Sequence, residues 1–374
     1  MSGMLDCKLG GVIKFGNGKA RPSSEGATPI YGGNGILGYS ADANYVGETI
    51  VIGRVGAYCG ATYYEDQPIW VSDNALAAKP KDNNNAKYLF YFLKHLDLNQ
   101  HAEGSSHPLV TQTLLNSIDV EIVENIDEQK AIAAVLSSLD DKIDLLHRQN
   151  KILEAMAETL FRQWFVEEAH KDWEFVELGN YVNCFNGVSY KSDDLNSSTT
   201  AMVTLKSFER DGGFRLDGFK EFTGKYKEQH VVNQGDLVVA HTDITQDAAV
   251  IGNPVLVVPD PAYDKLVISM DLVKVVSKCK WLSNEFLYCL MMTREFKQHC
   301  FGHSNGSTVL HLSKTAIPTY EFFMPPEGRV DEFTKLTKGF LGKKFENISQ
   351  TRTLEKLRDT LLPKLMSGQV RVAA

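Results

Sequence analysis

The sequence predicts an α+β protein. Two similar mixed α/β globules alternate with two long helices, which pair antiparallel as a coiled coil under a pseudo-two-fold axis. Two observations lead there: an unbroken heptad pattern over residues 126–165, and a repeat of the first part of the chain, in the same order, in the second part.

In the heptad stretch Ile132, Leu139, Leu146, Leu153 and Leu160 stand seven apart, as do Leu136, Ile143, Asn150, Ala157 and Trp164. Steps of four and three make the seam of a coiled coil. No Gly or Pro interrupts the stretch, and Glu, Lys, Gln, Ala and Leu are common in it, so helix propensity agrees with the pattern. At ~1.5 Å per residue it forms a rod of roughly 60 Å. So apolar a seam needs a second long helix to cover it. Asn150 is a polar seam position of the kind that fixes register at some cost in stability.

The repeat supplies that helix. Leu9-Gly10 answers Leu178-Gly179, Gly47-Glu48-Thr49-Ile50 answers Gly235-Asp236-Leu237-Val238, and Gly104-Ser105-Ser106 answers Gly306-Ser307-Thr308. From that loop onward the offset is 202, which carries Val120–Val123 onto Phe322–Pro325, Leu139 onto Leu341, Ile143 onto Phe345 and Leu160 onto Leu362. A second long helix is therefore expected from about Val330 to Met366, with Pro363 in its last turn and Gly368 as its stop. The expected domains are 1–125, a first globule; 126–170, a first spacer helix; 171–325, a second globule; and 326–374, a second spacer helix with a tail. The second globule is longer, and the insertion is expected around Asn196–Tyr226.

Within the first globule, strands are expected at Thr49–Ile52, Ile69–Val71 and Val120–Val123. A helix is expected at Lys87–Leu96, capped from the Asn83–Asn85 run. Within the second, strands are expected at Leu237–Ala240, Pro254–Val258 and Leu272–Val276. A helix is expected from Asn284 to about Cys300, opened by Ser283 or Asn284.

The composition is ordinary for a soluble globular chain, at 43% hydrophobic and 23% charged. There is no signal-peptide pattern and no apolar run near 18 residues, so no membrane span is expected. Six scattered cysteines without a C-x-x-C fit a reducing cytoplasm. The net charge is −8, against the basic bias that nucleic-acid phosphates favour. It is unevenly spread: 126–170 carries 5 Lys+Arg against 9 Asp+Glu, whereas 326–374 carries 10 against 6, which suits pairing of the two helices. Any nucleic-acid contact has to use local basic patches or a cationic partner subunit.

Two related globules on a stiff spacer make a ruler, and duplex DNA repeats every ~34 Å. Several motifs spread over nearly the whole chain then resemble the specificity subunit of type I restriction-modification enzymes. They are Tyr31-Gly32-Gly33-Asn34-Gly35, Gly53-Arg54-Val55-Gly56, Trp70-Val71-Ser72-Asp73-Asn74-Ala75, Asp127-Glu128-Gln129 and the run Leu153–Phe165. Gly306-Ser307-Thr308, Leu312-Ser313-Lys314, Leu357-Arg358-Asp359 and Leu361–Gly368 complete the set; the helical motifs are the more specific ones. The opening of the second helix, Pro325–Asp331, departs from the pattern by lacking the Glu-Gln of the first.

The resemblance implies two target-recognition domains, each reading half of a split asymmetric DNA target, with helices that set the spacing and dock methyltransferase subunits. The implied partners are double-stranded DNA, two modification subunits and, in the full complex, restriction subunits. S-adenosylmethionine would belong to the modification subunit, which would methylate adenine N6; none is expected in this chain. Two other readings stay open: a coiled-coil adaptor whose globules bind proteins, and a recognition module for a single-chain restriction-methylation enzyme.

The chain itself is expected to be non-catalytic. Its Asn-Pro pair, Asn253-Pro254, is followed by Val255, not by the Pro-aromatic that holds a flipped base. There is no G-x-G-x-x-G after a strand, no phosphate-cradling G-x-x-x-x-G-K-[ST] and no spaced acid-lysine nuclease set. His299 and His303 stand four apart beside Cys300, but no distant pair completes a zinc site, so no metal is expected.

Reading DNA takes donors and acceptors at base edges and cations at phosphates. In the first globule the candidates are Lys14, Asn17, Lys19 and Arg21 at one Gly-rich turn, Tyr31 and Asn34 in the next loop, Arg54 between glycines, and Ser105, Ser106 and His107 in the late loop. In the second they are Asn186, Tyr190 and Lys191, then His241 and Thr242, and the late-loop Ser304, Asn305, Ser307 and Thr308. Lys206, Arg215 and Lys220 in the insertion join them, interleaved with Phe208, Phe214, Phe219 and Phe222 that could stack on bases or fill a core.

Overall fold

The computed structural model describes residues 3–104, 108–170, 172–209, 213–244, 248–306 and 308–372. The chain forms two compact units: Met1–Asp144 with Thr353–Ala374, and Leu145–Arg352. The fold is a mixed α+β one with two long helices.

In the first unit β1 (Met4–Lys8) pairs antiparallel with β9 (Asp119–Val123), and a single turn, α1 (Leu9–Val12), leads into the main sheet. That sheet orders β2 (Ile13–Asn17), β8 (Ala75–Pro80), β5 (Thr49–Gly53) and β6 (Thr62–Glu65), all antiparallel. Ile13 and Phe15 point inward while Lys14 between them is exposed, the period-two pattern of a strand with one covered face. A smaller sheet orders β4 (Gly35–Ser40), β3 (Thr28–Gly32) and β7 (Trp70–Val71). Helix α2 (Ala86–His95) covers the main sheet; Asn85 Oδ1 accepts the Tyr88 amide at 2.9 Å, the cap foreseen in the Asn83–Asn85 run. Helix α3 (Gln112–Ser117) closes the unit before α4 (Ile126–Arg162).

The second unit repeats this with more chain. β10 (Phe175–Glu177) pairs with β22 (Glu321–Phe323). The main sheet orders β11 (Val182–Asn186), β19 (Leu272–Ser277), β15 (Leu237–Ala240) and β17 (Pro254–Leu256). The second sheet orders β13 (Lys220–Glu221), β12 (Thr200–Val203), β18 (Lys265–Ile268) and β14 (Val231–Val232). A third orders β16 (Thr242–Asp243), β21 (Leu310–Leu312) and β20 (Ser304–Asn305). The extra length is not confined to 196–226: part also lies between β15 and β19.

The helix expected from Asn284 to about Cys300 is two helices, α5 (Asn284–Met292) and α6 (Arg294–Gly302). Thr293 breaks it. Its backbone is extended, its Oγ1 donates to Leu290 O at 2.6 Å, and the same oxygen accepts from the Phe296 amide at 3.3 Å. Thr293 therefore ends one helix and caps the next. Ser283 opens α5, as one of the two expected alternatives.

The long helices do not stand apart as the boundaries at 126 and 326 anticipate. Each unit keeps part of α4 and part of α7 (Glu327–Met366), because each core closes on them. Ile132 and Leu136 are buried with Leu365 and Met366 in the first unit; Ala157 and Phe161 are buried with Val330, Phe333 and Leu341 in the second. The seam of α4 is inward as read: Ile132, Leu136, Ile143, Leu146, Asn150 and Ala157 are buried, and Leu139, Leu153, Leu160 and Trp164 are half-buried. The buried face of α7 is more polar than its apolar spacing suggests, and includes Thr337, Lys344, Asn347 and Thr351.

Candidate nucleic-acid interface

At one end of the first unit's main sheet five loops meet. Gly18, just past β2, donates to Ala75 O at 3.3 Å, and Lys19 donates to Val71 O at 3.0 Å. Gly18 has to be glycine there, since a Cβ would fall on the Ser72 carbonyl. Beyond β5 the Arg54 amide donates to Asn74 O at 3.0 Å, and Arg54 O accepts from Val110 N at 3.0 Å. Val55 then bridges to Leu109, which bridges to Glu103. Gly53 lies so near the Gly33 loop that a Cβ would come 2.5 Å from Gly33 O. Lys19, Asn34 and Arg54 are thereby carried by loops that touch one another. Lys19 and Asn34 are exposed and Arg54 is half-buried; the Arg54 Nε is buried with no hydrogen-bond partner among the described residues.

The remaining first-unit candidates separate. Lys14 lies in β2 opposite Lys79, toward the far end of that strand from these loops. Asn17 Oδ1 accepts from Gln112 Nε2 at 2.7 Å, and Arg21 Nη2 donates to Leu37 O at 2.6 Å, so both side chains already have structural partners. Tyr31 is corrected: it is 5% exposed in a core with Val51 and Val71, and its hydroxyl donates to Glu65 at 2.5 Å. Burial and the Glu65 carboxylate push its pKa well up, so it stays a neutral phenol away from solvent. Ser105, Ser106 and His107 lie outside the described residues.

The second unit rebuilds the same meeting point. Gly187 donates to Leu272 O at 3.0 Å, and a Cβ on it would fall on the Ser269 carbonyl. The His241 amide donates to Asp271 O at 2.7 Å, and His241 O accepts from Leu312 N at 2.8 Å. Thr242 pairs with His311, and Asn305 pairs with His311. His241 is half-buried, and its Nε2 is buried without a hydrogen-bond partner among the described residues. Burial, and then the adjacent His311, hold its pKa below the ordinary histidine value, so the ring is neutral near pH 7.

Around this point Asn305 and Thr308 are exposed, while Ser307 lies outside the described residues. Ser304 Oγ is turned to Phe301 O at 2.7 Å, where it closes the end of α6. Thr242 is corrected to a buried side chain, 5% exposed, whose Oγ1 lies 3.4 Å from His311 Nδ1. Asn186 is half-buried at the end of β11, and Lys191 is exposed.

Within the insertion, Arg215 is held by both oxygens of Asp217, at 2.9 and 2.5 Å. Lys220 lies 5.3 Å from the Tyr190 ring centroid and 3.3 Å from its hydroxyl. Tyr190 packs on a core that includes Phe222, so it and Lys220 serve each other first. Lys206 is exposed. Phe208, Phe214 and Phe222 are buried, which makes them core and not a stacking platform.

Sequence reading missed His311. The offset of 202 that aligns the late loops maps it onto Leu109 and could have found it. His299 and His303 stack at 4.1 Å, with His299 Nε2 2.8 Å from Ala316 O; among the described residues no group of three His, Cys, Asp or Glu could hold a metal. No helix among the described residues is long and apolar enough to cross a membrane.

Residues 1–155 match the type I restriction modification DNA specificity domain. The chain is similar to the type I restriction enzyme MjaIX specificity subunit of Methanocaldococcus jannaschii, 25% identical over 78% of this chain and 71% of that one. It is also similar to the EcoprrI specificity subunit of Escherichia coli, 32% identical over 30% of this chain and 28% of that one. The fold is that of the crystal structure of a type I restriction-modification system S subunit from M. genitalium, with a TM-score of 0.67, 17% identity and coverage of 97% of this chain and 96% of that one. These relatives are named for specificity and not for methyl transfer or cleavage. Residues 1–155 thus match a type I restriction modification DNA specificity domain, and over most of its length the chain is similar to a specificity subunit of a type I restriction enzyme.

Proposed function

We propose that this chain is the non-catalytic DNA-specificity subunit of a type I restriction-modification system, each unit reading one half of a split, asymmetric target. The observation that carries the reading is the duplicated loop meeting point: one hydrogen-bond frame, built twice, bearing Arg54 in one copy and His241 in the other. Related frames with unlike side chains suit two unlike half-sites better than a palindrome, which asks for identical readers.

The long helices then set the gap. Their partners run in opposite order within each unit. Asp140 meets Arg358 and Glu128 meets Arg371 in the first; Asn150 meets Asn347, Glu154 meets Lys344 and Glu168 meets Arg329 in the second. That order supports an antiparallel spacer under a pseudo-two-fold axis. Leu145, Ile152 and Met156, spaced seven and four, form an exposed apolar stripe on α4. The stripe suits docking of a methyltransferase subunit, two per complex, with restriction subunits joining the full assembly. S-adenosylmethionine is supplied through the methyltransferase, and the work takes place in the cytoplasm. With a net charge of −8, phosphate neutralisation has to come largely from the partner subunits.

The test is to express the full chain with its methyltransferase and map the methylated adenines. Two short defined blocks separated by an undefined gap are expected. A contiguous or palindromic target would sink the reading.

A further inference from the structure

Arg54 and His241 are seated identically. Each amide donates to the residue two past an equivalent serine: Asn74 after Ser72, and Asp271 after Ser269. Each carbonyl accepts from the residue that leaves the late loop, Val110 or Leu312, and these are 202 apart. The residue before each ends the central strand of its sheet, Gly53 opposite Ala75 and Ala240 opposite Leu272. The residue after each bridges to the late loop, Val55 to Leu109 and Thr242 to His311. The match sets the offset at 187, one less than the Gly47/Gly235 alignment gives, which would have placed Gly53 on His241.

Both seats leave a polar side chain unspent. Neither Arg54 nor His241 has a side-chain hydrogen bond among the described residues, and each keeps a buried nitrogen without a partner. Arg21 and Arg215, by contrast, are tied down by Leu37 O and by Asp217. A backbone fixed on both sides, carrying a side chain with open hydrogen-bonding capacity at the rim, meets the requirement for a specificity contact: a small uncertainty in position and a donor still to be matched. The rims are exposed, with Asn34, Val55 and Tyr58 around one seat and Ile244, Asn305 and Thr308 around the other.

Resting on the proposed function, we propose that Arg54 and His241 are the equivalent specificity-determining residues of the two units, each reading one base pair in its own block of the target. Arginine offers a two-donor fork that fits guanine O6 and N7. A neutral imidazole offers one donor and one acceptor on separate ring nitrogens and no two-donor fork, so the second seat reads a different edge. Rearrangement of Arg54 toward a base brings the buried Nε out to an acceptor.

The experiment uses the full chain with its methyltransferase, selecting from duplexes randomised across both blocks. Arg54→Ala should relax one base position in one block, reducing its discrimination roughly tenfold to a hundredfold, and leave the other block unchanged. His241→Ala should do the same in the other block only. His241→Arg should recode that position to guanine. Arg54→Lys keeps the charge but not the fork, so it should lose base preference while retaining salt-dependent binding. Uniform weakening at all positions, or a change in both blocks from one substitution, would overturn the assignment while leaving the split target in place. If the unaltered chain selects no two-block target, the proposed function itself fails. Melting temperatures of the four variants within a few degrees of the unaltered chain exclude misfolding as the cause.

Discussion

In the first unit Val55, the residue after Arg54, pairs with Leu109, which also pairs with Glu103; in the second the same pairings join Thr242, His311 and Asn305. The backbone frame is shared almost bond for bond, while the groups it presents change from largely apolar with one acid to polar and basic. Backbone hydrogen bonds and glycine contacts fix where each side chain sits, while its chemistry differs between the two copies. Two halves of one chain can therefore diverge in the groups they present without diverging in architecture.

The units differ again where they hold the long helices. Each uses a tyrosine, a carboxylate on α4 and a cation on α7. In the first, the Tyr91 hydroxyl donates to Asp140 at 2.8 Å, and Arg358 donates to the other oxygen of Asp140 at 2.8 Å. In the second, Tyr288 and Lys344 both donate to Glu154 Oε1. The side chains of Asp140 and Arg358 are 27% and 25% exposed, those of Glu154 and Lys344 only 15% and 10%. Glu154→Ala, which strands the lysine in a dry site, should cost about 3–5 kcal/mol. Asp140→Ala, better reached by water, should cost about 1–2 kcal/mol. Hydrogen exchange resolved over 145–352 and over 1–144 measures the two, and equal losses would break the contrast. Glu154→Leu with Lys344→Met sharpens it, and should restore part of the loss, since the buried Tyr288 hydroxyl still lacks its acceptor.

A smaller effect separates the strand ends. Gly53 and Ala240 are equivalent, yet a Cβ at 53 meets both Gly33 O and Tyr58 O at 2.5 Å, whereas 240 already carries one. Gly53→Ala should destabilise by about 1–3 kcal/mol through forced movement of the Gly33 loop. Ala240→Gly should cost only about 1 kcal/mol, from backbone freedom and one lost methyl. Thermal melts compare them, and a costlier Ala240→Gly would mean that the second unit's loops are packed as tightly as the first's.

The smallest difference is in pH response. His241, His230 and His299 all lie in the second unit, and burial holds each below the ordinary value of 6.5. The folded state thus binds protons less readily than the unfolded chain. This stability is complete above about pH 6.5 and is lost as pH falls through the lowered values. Acidification from pH 7 to 5 should lower the protection factors in 145–352, taken relative to the intrinsic exchange rate at each pH, and His241→Asn should reduce the effect. An unchanged slope in that variant would place the titration elsewhere.

Periodicity and order were legible without coordinates because they are set by one-dimensional rules. The seam of α4, the cap at Asn85, the strand Leu237–Ala240 and the stop at Gly368 follow from side-chain spacing, capping chemistry and positive φ. The duplicated Gly-rich loops were legible as a repeat, but that Gly18 and Gly187 admit no Cβ, because of the Ser72 and Ser269 carbonyls, was not. The break at Thr293, the burial of Tyr31 and Thr242, and the polar face of α7 were not. Thr293 bonds its near neighbours Leu290 and Phe296, in a local pattern that threonines inside unbroken helices do not adopt, so spacing alone gave no signal of it. The others depend on what a distant segment brings: Glu65 on the Tyr31 hydroxyl, His311 beside Thr242, Glu154 against Lys344.

By itself, then, the sequence determined the repeat and the long helices, because order and spacing along the chain carry them. Tertiary structure alone decided which polar groups are spent inside and which remain free at the surface. A hydrogen bond between residues 34 or 69 positions apart has no signature in either one's local context, as Tyr31 with Glu65 and Thr242 beside His311 illustrate.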